Sequence, residues 1–139
     1  MIKTAISAII LFSVVIALVF HYFSGGLAEG LCSNKPYQEY LSPNQTYKAV
    51  VFQRACGPSS GSTTQISIID ASENLKNRAG NVLVIKGYPK RIAPKLEWNG
   101  EQEVIIHHPL DGSEFRAETR LESDRLINIT YSGRSQKTF

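Results

Sequence analysis

Two cysteines, Cys32 and Cys56, are the only thiols of this chain. They lack the C-x-x-C spacing of a redox pair and the nearby histidines of a zinc site. Such an isolated pair predicts one disulfide, with free thiols and an active redox pair as the alternatives. Closing a loop of about 25 residues would stabilise a domain by roughly 3–4 kcal/mol on the chain-entropy model.

Three further clusters could do chemistry. The loop Cys56-Gly-Pro-Ser-Ser-Gly-Ser-Thr-Thr64 is rich in hydroxyls. A phosphate-binding loop needs G-x-x-x-x-G-K-[ST], and here the spacing is one short and the lysine is missing. Its amides could still cradle an anion. A nucleophilic Ser59 or Ser60 needs a general base, and the sequence singles out no histidine or carboxylate for that task. Ser59, Ser60 and Ser62 are therefore candidates for partner contact, against a purely structural loop. Lys86, Tyr88, Lys90 and Arg91 crowd a second loop, where they could touch anionic headgroups, a glycan or a protein, or simply be solvated. His107 and His108 are adjacent on one strand, so they point to opposite faces and cannot share a metal. These clusters nominate no catalytic residue, no metal site and no cofactor.

The elements that would position these residues follow a period of two. Thr46–Arg54 is rich in β-branched and aromatic residues, and Thr64–Asp70 puts Ile66 and Ile68 on one face. Asn81–Lys86, Lys95–Trp98, Glu103–His108, Phe115–Leu121 and Leu126–Tyr131 complete the expected strands. Asn99-Gly100 predicts a turn, and Pro109–Gly112 predicts a hairpin pairing Glu103–His108 with Phe115–Leu121. Arg116, Glu118, Arg120 and Glu122 would then share one solvated face. Ala71–Arg78 has some helical flavour but is too short to count on, and Trp98 suits a core or turn-packing place.

Ahead of all this, Lys3 precedes an uncharged run from Thr4 to Phe23 whose only polar members are Thr4, Ser7, Ser13 and His21. As a helix it would be roughly 30 Å long, the thickness of a bilayer core. The run predicts a transmembrane anchor over residues 1–24. Cleavage after Ala28 is an alternative that would release a secreted domain, and lipid attachment at Cys32 is another. Lys3 and the α-amino group orient the anchor N-in, which puts the rest of the chain outside the cytoplasm. Residues 25–40 would be a linker and the first part of the disulfide loop, residues 41–131 an antiparallel β domain, and residues 132–139 a flexible tail. The expected fold is mainly β: a single N-terminal transmembrane helix followed by a small antiparallel sheet. The formal net charge of +3 is too mild for a dedicated nucleic-acid binder.

Leu41-Ser-Pro-Asn-Gln-Thr-Tyr-Lys-Ala-Val-Val51 resembles the Ser-Pro-Asx opening of one TolB-type propeller blade, with Gln45 in place of the usual glycine. Glu97-Trp98-Asn99-Gly100 is similar to a second such start. A chain of this length could supply at most one blade-like sheet. Ser42–Ile68, with its Cys-Gly-Pro and Gln-Ile-Ser stretches, resembles a family of small, uncharacterised, membrane-anchored bacterial envelope proteins. That resemblance implies an inner-membrane home with a periplasmic domain, and it carries over no catalytic residue. The function expected is a non-catalytic module binding a protein or an envelope component. Alternatives are an immunity-type protein against an exported toxin and, in a different class, a hydrolase using the serine-rich loop.

Overall fold

The computed structural model describes residues 9–21, 31–123 and 125–133. The chain divides into two compact units, Met1–Cys32 and Ser33–Phe139.

In the first unit, residues 9–21 form helix α1. Its large apolar side chains are exposed on every side, from 50% at Val15 to 73% at Phe20. Ser13 satisfies its hydroxyl within the helix by donating to the carbonyl of Ile9. Among the described residues, no helix is long and apolar enough to cross a membrane. Part of the expected Thr4–Phe23 span lies outside the described residues, as does the tail from residue 134 onward.

The second unit is mainly β. Strands β1 (Ser33–Leu41), β2 (Tyr47–Ala55), β3 (Ser62–Asp70), β4 (Leu83–Lys86) and β7 (Arg116–Ala117) form one sheet in that order. Strands β5 (Lys95–Trp98), β6 (Glu103–His107), β9 (Leu126–Tyr131) and β8 (Arg120–Glu122) form the other. A short helix, α2 (Pro89–Ile92), links β4 to β5. Alternating residues from both sheets meet in one core: Ala49, Val51, Ile66, Ile68, Leu83 and Ile85 from the first, Leu96, Val104, Ile106, Ile127 and Ile129 from the second.

β2 is buried on both faces, as its continuous apolar run requires. Val50, Phe52 and Arg54 point away from the shared core, yet all are buried. On that outer side the segment from residue 71 to 81 is pinned to the sheet as a strap. Asn34 donates to the carbonyls of Lys76 and Arg78, Gly80 N donates to Gln65, and Arg116 donates to the carbonyl of Gly80. Arg54 reaches the side chains of Asn34 and Asn77. The strap runs so close to β3 that a Cβ at Gly80 would sit 2.8 Å from the carbonyl oxygen of Ile66. No helix forms there; the backbone of the strap is committed to the sheet instead.

Three expectations are corrected. Residues 33–40, expected in a linker, belong to strand β1. It was hidden because it is an edge strand, exposed along most of its length and interrupted by Pro36 and a register shift between Pro36 and Gln38. Such features keep an edge from pairing with other chains, and they also erase the alternation. The hairpin across Pro109–Gly112 does not form: β6 pairs with β5 and, in parallel, with β9. Residues 115–121 are split between the two sheets. Phe115 N and Glu118 N donate to β4-side carbonyls of Val84 and Val82, while the carbonyl of Thr119 accepts from Ile129 N. The chain therefore switches sheets between Glu118 and Thr119, making a corner of the sandwich. Arg116, Glu118, Arg120 and Glu122 share no single strand.

Candidate functional site

Two triplets of the same residue types, in opposite order, meet at one end of the five-stranded sheet. Lys35-Pro36-Tyr37 lies at the start of β1, and Tyr88-Pro89-Lys90 opens α2. With Gln53 they line a cleft of about 290 Å³. The register explains the meeting. Lys35 pairs with Gln53 on β2, whose side chain donates to Ser62 Oγ at 2.9 Å. The carbonyl of Ser62 accepts from Gly87 N at 3.0 Å, bringing the end of β4 and the start of α2 to the same place.

Local chemistry sets α2 where it is. Pro89 stands at the first helical turn, where its missing N–H costs nothing, and it is buried. Gly87 takes φ +125, a conformation that favours glycine, and a Cβ there would also meet Ile92 Cδ1 at 2.8 Å. Ile92 packs against the core from the helix's other end. Tyr88 is left 51% exposed and Tyr37 46% exposed, so both rings offer a face to a ligand. Lys35 and Lys90 are exposed beside them, and no carboxylate lines the cleft among the described residues. Aromatic faces, two ammonium groups and one amide suit a ligand with a flat or apolar body and negative charge.

Of the residues expected from the sequence, Ser62, Lys86, Tyr88, Lys90 and Arg91 gather at this end. Lys86 pairs with Thr63 at the close of β4. Ser59 and Ser60 are exposed in the adjoining loop, where Ser60 Oγ donates to the carbonyl of Gly57 at 3.2 Å, a turn bond rather than an activating one. Cys32 and Cys56 are disulfide-bonded, each one residue beyond the Ser33–Ala55 pair that closes the β1–β2 ladder. Sequence reasoning missed Lys35, Pro36, Tyr37 and Gln53. The signal that could have found them is the mirrored Lys-Pro-Tyr and Tyr-Pro-Lys triplets.

Sequence reasoning also missed an array on the other sheet. His107 Nδ1 lies 2.9 Å from Ser132 Oγ, and its Nε2 lies 3.5 Å from Glu97 Oε2. Glu97 is held below its usual carboxyl range chiefly by the hydrogen bond from Lys95, whose ammonium sits 2.7 Å away. Nucleophile, imidazole and carboxylate are thus in order. Yet His107 and Glu97 are 41% and 47% exposed, so water screens a relay that works only in a dry, preorganised pocket.

The neighbouring His108 contacts Glu114 at 3.3 Å. Burial pushes the Glu114 carboxyl upward, but backbone N–H groups of Glu114, Asp111 and Gly112 outweigh it and hold the group below its ordinary value. The loop after β6 is therefore wrapped around its own carboxylate. Among the described residues, no group of three or more His, Cys, Asp or Glu side chains could hold a metal. A second cleft, of about 240 Å³, lies under the strap, against Ser67, Ile69 and Asn81. No protein-family model, curated protein or solved structure matches this chain.

Proposed function

We propose that this is a membrane-anchored protein whose β unit stands outside the cytoplasm and binds an anionic envelope component without catalysing a reaction. The observation that carries the reading is the cleft formed by the two Lys/Pro/Tyr triplets, with its exposed rings and unopposed ammonium groups. Supporting the anchor, α1 is apolar all round and Ser13 closes its hydroxyl onto the helix backbone, as a lipid environment demands. The disulfide fits an oxidising compartment. The likeness of Ser42–Ile68 to small bacterial envelope proteins points to the inner membrane and periplasm.

The test is photocrosslinking in cells making the full chain, with a photoreactive residue at Tyr88. A discrete adduct that disappears when Lys35→Glu and Lys90→Glu are added supports the reading. No adduct, or one indifferent to those charges, overturns it. Alkaline extraction checks the anchor separately: release of the full chain with peripheral proteins would remove the membrane from the proposal.

A further inference from the structure

We infer that the cleft-bearing end of the β unit docks on the anionic headgroups of the membrane that holds the chain, so the component bound is a lipid surface. The inference rests on the anchored reading above and names the ligand of the same cleft.

The first observation is where the chain enters. Ser33 begins β1, and Lys35 and Tyr37 follow within about 13 Å of strand. The disulfide between Cys32 and Cys56 closes the same end. In sequence, only residues 25–32 separate the expected anchor from Ser33, so this end of the β unit carries the tether.

The second observation is charge. The three segments around the cleft, Ser33–Tyr37, Gln53–Ser62 and Lys86–Ile92, contain Lys35, Arg54, Lys86, Lys90 and Arg91 and not one Asp or Glu. Arg54 is buried and engaged with Asn34 and Asn77. Lys35, Lys86, Lys90 and Arg91 are exposed, and none pairs with a carboxylate among the described residues. At the other end of β1 and β2 the charge is balanced, with Glu39 on Lys48. Four unopposed cations on the tethered end match a negatively charged leaflet.

The third observation is the pair of half-exposed tyrosines between the cations. Amphipathic rings of this kind settle at the level of lipid headgroups. A soluble anion would account for the charge, but it gives no reason for the cations to cluster at the tether.

The experiment uses the full chain in nanodiscs, one set with about a third phosphatidylglycerol and one of phosphatidylcholine alone. Acylation of Lys35, Lys86 and Lys90 is followed by mass spectrometry, with Lys48, at the far end of β2, as the control. The expected result is labelling about fivefold slower at the three lysines in anionic discs, relieved by high salt, and unchanged at Lys48. Lys90→Glu with Arg91→Glu should restore the rate at Lys35 and Lys86. Equal rates in the two lipids overturn the inference. If rates are equal while the Tyr88 crosslink still captures a charge-dependent protein or glycan, docking fails and the binding function stands. If the chain does not stay in the discs, the anchor fails and the inference with it.

Discussion

The indole Nε1 of Trp98 donates to the carbonyl of Tyr40 at 2.9 Å, joining the edge strand of one sheet to the edge strand of the other. Neither strand reaches the other through a backbone ladder. Besides its ladder with β2 and the strap's hold on Asn34, β1 is tied to β5 through this bond. Trp98→Phe keeps most of the ring and removes the donor, and with it this hydrogen bond between the sheets. It should cost about 1 kcal/mol in urea unfolding. An unchanged midpoint would show that the bond is dispensable.

β1 is mostly exposed and contributes little to the core, and the disulfide ties its start covalently to the end of β2. Cys32→Ser with Cys56→Ser should lower stability by about 3–4 kcal/mol, from a loop of about 25 residues. Limited proteolysis should then cut first within Ser33–Leu41. Cleavage elsewhere at equal rate would contradict this account.

Gln45 adopts φ +57 in the turn between β1 and β2, the conformation that glycine takes most easily. Asn44 Oδ1 accepts from Ser42 Oγ and Thr46 N, and Ser42 Oγ accepts from Tyr47 N, so the turn is held in spite of that residue. Gln45→Gly should raise stability by about 0.5 kcal/mol, and Gln45→Val should lower it by about 1–2 kcal/mol. Thermal melts of the two variants on either side of the parent would bear this out.

Glu114 has a carboxyl held below its ordinary value of 4.5. A group depressed in the folded state stabilises the fold above its unfolded pKa, and the contribution is lost as pH falls through the lowered folded value. Stability should therefore fall between about pH 5 and pH 2, in part through Glu114. Glu114→Gln should weaken the protein at neutral pH and flatten that acid limb. Parallel pH profiles for the two proteins would assign the acid loss to other carboxylates.

How far the sequence could be read depended on whether the signal was local. Lys95–Trp98 and Leu126–Tyr131 were legible to the residue, since alternation reports which face of a strand is buried. β1 was not, because an edge strand with Pro36 and a bulge carries no alternation. The hairpin across Pro109–Gly112 was the natural reading of a Pro/Gly turn. Instead the loop closes around Glu114, and the N–H of Phe115 is spent on Val84 in the other sheet. The serines and cations of the cleft were visible as unusual composition, but their companions Lys35 and Tyr37 were not.

By itself the sequence determined the β character of the unit, the pairing of its two cysteines and the apolar, nearly charge-free nature of its first segment. These follow from residue type and short-range period. Tertiary structure alone decided the two-sheet arrangement, the parallel β6–β9 pair and the meeting of Lys35-Pro36-Tyr37 with Tyr88-Pro89-Lys90. The reason is physical: those outcomes depend on register between distant strands. Register is settled by which buried faces and backbone groups satisfy one another across the whole core, and no local stretch contains that information.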